Sequence, residues 1–408
     1  MLKELTVVVG GQIYAPEILD QKNIFIEGGK IKKISTDKPP NHAKIINADG
    51  LLVIPGLIDA LVHGGGGRHT MTGDPEDVAH IARTHAKHGV TSVLMATSSA
   101  KIEEIEVSLA AIAHIVDNPI KNGANVLGSY VEGKFGCLEK CGAQNPDTMS
   151  PPNFEELHRM WEHSDGTLKV ISIAPERDPD LVFTKHLSEQ SAENYNDIVV
   201  ALGHTNASYD LAKSAIDNGI TRATHTFNGM SGMHHRQLGV LEAVLASDSI
   251  HAELICDGQH VAPIWGKNLI KMKGEEKVGL VSDCLEFAGV PAEQWQQDFI
   301  WQPKINAWQS RKEPERYIRN GAMWNDVGTE VETLYGSKIT LMEGLRNVIG
   351  WGIPLNKAVM MATLTPAQNL RIDDKKGSIS EGRDADLVLL SPDLEVRLVL
   401  INGHSIEI

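Results

Sequence analysis

Short apolar runs alternate with amphipathic stretches through the middle of the chain. The runs are rich in valine, isoleucine and leucine, as expected of parallel strands buried on both faces. They lie at Leu57–Val62, Ser92–Ala96, Asn125–Val131, Lys169–Ile173, Asp197–Gly203, Ile220–Thr224, His251–Cys256 and Lys277–Ser282. Helical spacing of apolar residues predicts helices between them at Pro75–His88, Ile102–Val116, Phe154–His163 and Tyr209–Asn218. Eight β-then-α units predict an α/β fold, a parallel (β/α)8 barrel of the TIM type.

Both ends of the chain show a different pattern, in which apolar and polar residues alternate. The segment NIFIEGGKIKKIS, residues 23–35, alternates on both sides of a Gly-Gly pair and predicts a hairpin. Near the C-terminus the alternation returns, with turns predicted at Pro392-Asp393 and Asn402-Gly403. The two ends therefore predict a sheet structure that is separate from the barrel.

This change of pattern predicts two domains. We expect residues 1–54 and 373–408 to form a small β-sandwich domain from both termini, and residues 55–372 to form the barrel. Two further helices, Thr340–Ile349 and Pro354–Ala362, are predicted before the terminal sheet.

Composition and net charge exclude some classes of binding partner. The 408 residues are 42% hydrophobic and carry a formal net charge of −15, with no run rich in lysine and arginine. Nucleic acid and anionic membrane surfaces are therefore poor partners, whereas a small molecule can bind in a local pocket. We expect no secretion signal at the N-terminus, and no apolar run is long enough to span a membrane. We expect a cytoplasmic protein whose four cysteines are reduced thiols.

Metal-capable side chains recur where the predicted strands end. His63 follows the first strand, Glu132 ends the third, His204 and His225 follow the fifth and sixth, and Asp283 follows the eighth. Functional residues of such barrels gather at this face. A carboxylate and two imidazoles suit a catalytic divalent ion with an open position for water, so Glu132, His204 and His225 are the predicted ligands. Asp283 is then free to move a proton between the water and a leaving nitrogen.

The sequence at the end of the first strand indicates how many metal ions the site binds. Metal-dependent hydrolases often carry two histidines one residue apart at this point, but in PGLIDALVHGGGG the first is replaced by Leu61. We therefore predict one divalent ion per chain. Zinc fits the ligands, and iron, manganese or cobalt are alternatives. His63 can approach the ion, orient the water or oxyanion, or bond a neighbour.

Two loop residues are further candidates. Arg236, in MHHRQLG, can grip an anionic group, and a solvated loop charge is the alternative. His260, in ICDGQHV after the seventh strand, is a second pocket candidate. Four tryptophans after Asp283 indicate core or dimer packing more than sugar stacking. They are Trp295, Trp301, Trp308 and Trp324.

Taken in order, the motifs resemble those of the N-acetylglucosamine-6-phosphate deacetylases of the amidohydrolase superfamily. They are PGLIDALVHGGGG, YVEGKFG, KCGAQNP, VALGHTNASYD, THTFNGM, HHRQLG, DGQHV, LVSD and GSISEGRDADLVLL. The resemblance runs through nearly the whole chain. It implies a barrel with a β-sandwich from both termini, and hydrolysis of an acetamide to acetate and an amino sugar phosphate.

The resemblance also implies roles for individual residues. The metal ligands fall on Glu132, His204 and His225, and the general acid/base falls on Asp283. Positions that contact the sugar or its phosphate are Gln144, Asn228, Gly229, Arg236 and His260. In that family the arginine typically reaches in from the partner of a homodimer, so a homodimer is implied here.

Three residues depart from the family pattern and bear on the substrate. Lys134 replaces a proline, Gln144 replaces a histidine, and Glu286 stands where a small or neutral residue is expected. These changes leave the metal and proton machinery intact. N-acetylglucosamine 6-phosphate is the expected substrate, with a related N-acetylhexosamine derivative such as N-acetylgalactosamine 6-phosphate as the alternative.

Two other classes of function compete with this interpretation. A cyclic-amide or dipeptide hydrolase usually bridges two ions with a carboxylated lysine at the end of strand four, but here that strand continues into Ala174-Pro175-Glu176. A non-catalytic sugar-binding descendant has little use for a proton shuttle, and Asp283 argues against it.

Overall fold

The computed structural model describes residues 4–14, 17–19, 22–188, 195 and 197–407. Within these residues, eight parallel strands form one sheet in sequence order. The strands are Leu57–Val62, Val90–Thr97, Asn125–Phe135, Leu168–Ile173, Val199–Leu202, Arg222–Ala223, His251–Ile255 and Val278–Val281. The backbone N–H of Asp283 donates to the carbonyl of Leu61 at 3.1 Å, and that of His63 to the carbonyl of Cys284 at 3.0 Å. These bonds join the eighth strand to the first and confirm the predicted barrel.

Helices cover the outside of the barrel. They are Pro75–Lys87, Ile102–Asp117, Phe154–His163, Val182–Ser188, Tyr209–Asp217, Val240–Ala246 and Pro263–Lys273. In the second helix Ile105, Leu109 and Ile112 are buried at helical spacing, so one face packs on the strands. Short 3₁₀ turns lie at Thr70–Thr72, Leu138–Lys140, Pro146–Thr148, Pro175–Arg177, Pro179–Leu181 and Gln296–Asp298. Among the described helices, none combines the length and apolar character that crossing a membrane requires.

Both termini build a small domain of two facing sheets. One sheet contains Leu5–Val9, Asn23–Glu27, Lys30–Ser35 and Lys44–Asn47. The other contains Gln12–Tyr14, Ile18–Leu19, Leu52–Pro55, Leu387–Leu390, Val396–Ile401 and His404–Ile406. Val8 and Ile24 of the first sheet share a core with Leu387 and Leu400 of the second. The predicted β-sandwich is confirmed, while its exact limits at residues 54 and 373 stay a prediction.

The segment between the eighth strand and the C-terminal helices forms a sheet that the sequence pattern did not predict. Five antiparallel strands lie at Phe299–Gln302, Ala307–Ser310, Arg316–Arg319, Ala322–Asn325 and Thr333–Ser337. We call this element the insertion sheet. A short helix, Ala292–Trp295, precedes it, and the helices Leu341–Gly350, Leu355–Met361 and Leu364–Asn369 follow. The predicted helices Thr340–Ile349 and Pro354–Ala362 correspond to the first two of these.

A cluster of aromatic side chains supports the insertion sheet. Trp295 is 6% exposed and meets the rings of Phe299 and Trp308 edge-on, each at 5.7 Å between centroids. Trp301, in contrast, is 43% exposed. Trp295, at the end of the short helix, is therefore a core residue beneath the sheet, whereas Trp301 is a surface residue of the sheet itself.

We expect Trp295→Ala to destabilise the insertion sheet by about 3–5 kcal/mol, because the change leaves a cavity at a buried aromatic site. Trp301→Ala is the matched control, with an expected loss below about 1 kcal/mol. The measurement is the rate of limited proteolysis within residues 299–337, which reports local opening. Equal rates for the two variants would contradict this assignment of the core.

Candidate active site

A cavity of about 380 Å³ opens where the barrel strands end. Its size falls within the range of small-molecule sites. Nine of the ten predicted site residues line it, namely His63, Glu132, Gln144, His204, His225, Asn228, Gly229, His260 and Asp283. The tenth, Arg236, is exposed in the loop after the sixth strand and is not part of this wall.

The innermost group consists of Glu132, His204 and His225, all buried. The Nε2 atoms of His204 and His225 lie 2.5 Å and 3.1 Å from Oε1 of Glu132. These two nitrogens are 3.3 Å apart, and the imidazole planes are nearly perpendicular. Two nitrogens and a carboxylate oxygen thus converge on one point, which is the donor set of a divalent transition metal.

Backbone carbonyls set the tautomers of the two histidines. Nδ1 of His204 donates to the carbonyl of Lys140 at 2.9 Å, and Nδ1 of His225 donates to that of Asn228 at 3.1 Å. With one proton held on Nδ1, Nε2 of each ring is the atom that faces Glu132 and is available to a cation. Such outer hydrogen bonds orient metal-binding imidazoles.

Three of these residues leave their strands with a left-handed backbone. The φ angles are 48° at His204, 29° at His225 and 49° at Asp283. Non-glycine residues in this region are strained by about 1–3 kcal/mol each, and such strain is often found at functional sites. The turn at each strand end is what aims the side chain into the cavity.

The charged forms of the buried side chains shift the pKa values of Glu132 and His225. Burial raises the pKa of Glu132, but the charge and hydrogen bonds of His204 and His225 outweigh it and hold that pKa well below its usual range. Burial lowers the pKa of His225, yet the hydrogen bond and charge of Glu132 raise it to about 9. In the absence of a cation, the group therefore favours an ionised carboxylate beside a protonated imidazole.

His63 links the group to Asp283. Its Nε2 atom lies 3.3 Å from Oδ1 of Asp283 and 3.7 Å from Oε2 of Glu132. The side chain of Asp283 is 11% exposed and faces the cavity. Leu61 packs with Leu94 and other apolar residues inside the barrel and is fully buried, so it takes no part in the cavity wall.

The three residues that depart from the family pattern lie in different places relative to the cavity. Gln144 lines the cavity, where its Nε2 donates to Glu132 and its Oε1 accepts from the backbone of Ser99 at 2.6 Å. Lys134 is buried outside the cavity wall and pairs with Glu156 at 3.1 Å. Glu286 also lies outside the wall, and its carboxylate is 3.5 Å from Arg316. Of the three, only Gln144 can contact a substrate.

The outer part of the cavity contains one predicted residue and several missed ones. Nδ1 of His260 donates to Asp257 at 2.6 Å, which fixes the ring at the rim. The missed wall residues include Ser98, Ser99 and the stretch Thr333–Gly336 of the insertion sheet. The sequence pattern carries no signal for that stretch, because it predicts no sheet there.

A second buried group lies close to the loop that follows His63. It contains Asp59, His85 and Cys284, whose donor atoms also lie near one another. The carbonyl of Gly64 accepts from Nε2 of His85 at 3.0 Å and from Sγ of Cys284 at 3.3 Å. Burial raises the pKa of the Cys284 thiol well above its usual range and lowers that of His85 to about 4. The imidazole of His85 and the thiol of Cys284 therefore both support the Gly64 loop.

Comparison with known proteins identifies the family. Residues 52–406 match the Amidohydrolase family. The chain belongs to this family. It is 28% identical to the N-acetylglucosamine-6-phosphate deacetylase of Bacillus subtilis, over 99% of this chain and 96% of that protein. It is 31% identical to the N-acetylgalactosamine-6-phosphate deacetylase of Escherichia coli O157:H7, over 95% of each.

Solved structures agree with this assignment. An N-acetyl-D-glucosamine-6-phosphate deacetylase mutant from Mycobacterium smegmatis, in complex with N-acetyl-D-glucosamine-6-phosphate, superposes with a TM-score of 0.84. The two chains are 26% identical, with 98% of this chain and 99% of that one covered. This amidohydrolase is therefore a hydrolase of the N-acetyl amino sugar 6-phosphate deacetylase family, and the resemblance predicted from the motifs is confirmed.

Proposed function

We propose that this amidohydrolase hydrolyses the acetamide of N-acetylglucosamine 6-phosphate, giving glucosamine 6-phosphate and acetate. The observation that carries the proposal is the convergence of Glu132, His204 and His225 beside Asp283 in one cavity. A site that only bound a sugar would not need a buried three-ligand group next to an available carboxylate.

The ligand group fits one divalent ion, held by Glu132, His204 and His225. Zinc matches two imidazoles and a carboxylate, and iron, manganese or cobalt can take the same donors. Such an ion, when bound, polarises the acetyl carbonyl and lowers the pKa of a water. We propose one ion per chain because Leu61, which replaces the first histidine of the usual pair, lies inside the barrel.

Asp283 provides the proton transfer. Its carboxylate takes a proton from the attacking water as the water oxygen bonds to the acetyl carbon. It then passes that proton to the sugar nitrogen as the carbon–nitrogen bond breaks, so acetate and the free amine leave. His63, 3.3 Å from Asp283, holds the carboxylate in position and can donate to the developing oxyanion.

Substrate recognition involves the outer wall. Gln144, Asn228, Gly229 and His260 line the space around the reacting group and can bond the sugar hydroxyls. Within the described residues, the wall includes neither lysine nor arginine. A cationic side chain gives the strongest phosphate contact, so we propose that Arg236 of a second copy completes the site in a homodimer.

A galacto-configured substrate is the second candidate. Gln144 replaces the histidine that the family pattern carries next to the substrate, and one relative is an N-acetylgalactosamine-6-phosphate deacetylase. Because Gln144 lines the cavity and is not one of the three predicted ligands, a change at this position can alter the preferred sugar without removing the ligand group.

The direct test is acetate release from N-acetylglucosamine 6-phosphate, compared with N-acetylgalactosamine 6-phosphate and unphosphorylated N-acetylglucosamine. We expect the highest kcat/KM for the first. A higher kcat/KM for N-acetylgalactosamine 6-phosphate would make that sugar the substrate and leave the proposed mechanism unchanged. Release from none of the three by metal-loaded protein would refute the proposed activity.

Asp283→Asn should keep its metal and lose turnover by about three orders of magnitude, as expected when a general acid/base is removed. Glu132→Gln is the contrasting variant, which should lose metal as well as turnover. Metal content and kcat, measured on the same preparations, separate the two roles. Near-normal turnover of Asp283→Asn would remove that residue from the mechanism.

Arg236→Ala should raise KM for the phosphorylated sugar by about tenfold or more, since a charge-assisted phosphate contact is lost. Turnover of the unphosphorylated sugar should change little. A similar loss with both sugars would show that Arg236 does not recognise the phosphate.

A further inference from the structure

An ion pair is buried on adjoining strands close to the ligand group. Arg222, on the sixth strand, donates from Nε to Oε1 of Glu253 on the seventh, and each side chain is 3% exposed. The guanidinium lies over the ring of Tyr130 on the third strand and reaches the carbonyl of Ala60 on the first. Contacts to strands on several sides place the pair inside the barrel. Removing two charges from water is costly, so stability alone does not explain this pair.

The second oxygen of Glu253 contacts a predicted metal ligand. Oε2 accepts from the backbone N–H of His225 at 2.8 Å. The backbone amides on either side of His225 donate to backbone carbonyls of the adjacent strands. Thr224 donates to the carbonyl of Leu202, and Thr226 donates to the carbonyl of Glu253. At His225 the backbone turns to a φ of 29°, and its N–H points to the Glu253 carboxylate instead. The carboxylate therefore satisfies the amide at the strained turn.

Arg222 in turn fixes Glu253. Its Nη1 donates to Oδ1 of Asn369 at 2.7 Å, while its Nε holds the carboxylate. The guanidinium is thus bonded on both sides, and the carboxylate has one orientation in which it meets both Arg222 and His225. A chain of contacts runs from Asn369 through Arg222 and Glu253 to the backbone of His225.

We propose that Glu253 is a positioning residue whose hydrogen bond to the His225 amide fixes the backbone turn there and thereby aims the imidazole at the metal. The inference rests on the proposed function, because it assumes that His225 is a metal ligand. Glu253 touches neither substrate nor metal, and it acts through the hydrogen bond to the His225 amide. Outer partners of metal ligands typically change metal affinity by about 10–100-fold when removed.

Two double variants separate this hydrogen bond from the ion pair. Arg222→Met with Glu253→Gln removes both charges but keeps an oxygen that accepts from His225. Arg222→Met with Glu253→Leu removes the charges and the acceptor together. Neither leaves a lone buried charge, so both should fold. Thermal unfolding checks this, and Glu253→Ala replaces Glu253→Leu in the second variant if that protein is not recovered folded.

The measurement is the affinity of the metal-free proteins for Zn²⁺ by chelator competition, with the visible spectrum of the Co²⁺ forms as a second readout. We expect the glutamine variant to bind within about threefold of wild type. The leucine variant should bind about 10–100-fold more weakly, with an altered Co²⁺ spectrum. Equal affinities and spectra in the two variants would overturn the positioning role.

The same experiment separates this inference from the proposed function. Wild-type protein that binds metal, together with two variants that bind equally well, would reject only the role of Glu253. Wild-type protein that binds no metal would reject both. Asn369→Leu is an additional control, because it leaves the Glu253–His225 bond in place and should lower stability more than metal affinity.

Discussion

The left-handed backbone at the ends of the fifth, sixth and eighth strands is the constraint on which the site depends. At His204, His225 and Asp283 the chain turns out of the sheet with positive φ, and each turn aims a side chain into the cavity. Isolated residues would not hold this conformation. The barrel holds it with hydrogen bonds on either side, such as Cys137 to the carbonyl of His204 at 2.8 Å and Asp283 to that of Leu61 at 3.1 Å.

The barrel, the terminal sandwich and the residues of the inner site were predictable from the sequence because each has a local signature. Buried parallel strands appear as apolar runs, and functional residues follow them directly. The insertion sheet has no such signature, since its short strands mix arginine, glutamine and tryptophan at partly exposed positions. Its contribution to the cavity, Thr333–Gly336, was therefore missed. The contacts of Glu253 and Gln144 were equally hidden, because they join residues far apart in sequence.

Glu132, His204, His225 and Asp283 keep the family pattern. Lys134, Gln144 and Glu286 depart from it. Lys134 pairs with Glu156, and Glu286 shares Arg316 with Glu313, so both departures have opposite charges beside them outside the cavity wall. Gln144 is different, since it lies in the wall and bonds a metal-capable carboxylate. We therefore expect the difference between related substrates to depend on Gln144 and the insertion sheet, and the chemistry to depend on the buried ligand group.

We propose that one ion per chain binds Glu132, His204 and His225. Anomalous diffraction at the zinc edge, on crystals of the zinc-loaded protein, tests it most directly. We expect one strong peak per chain, next to Oε1 of Glu132 and the Nε2 atoms of His204 and His225. A second peak beside His63, or a peak among Asp59, His85 and Cys284, would contradict it.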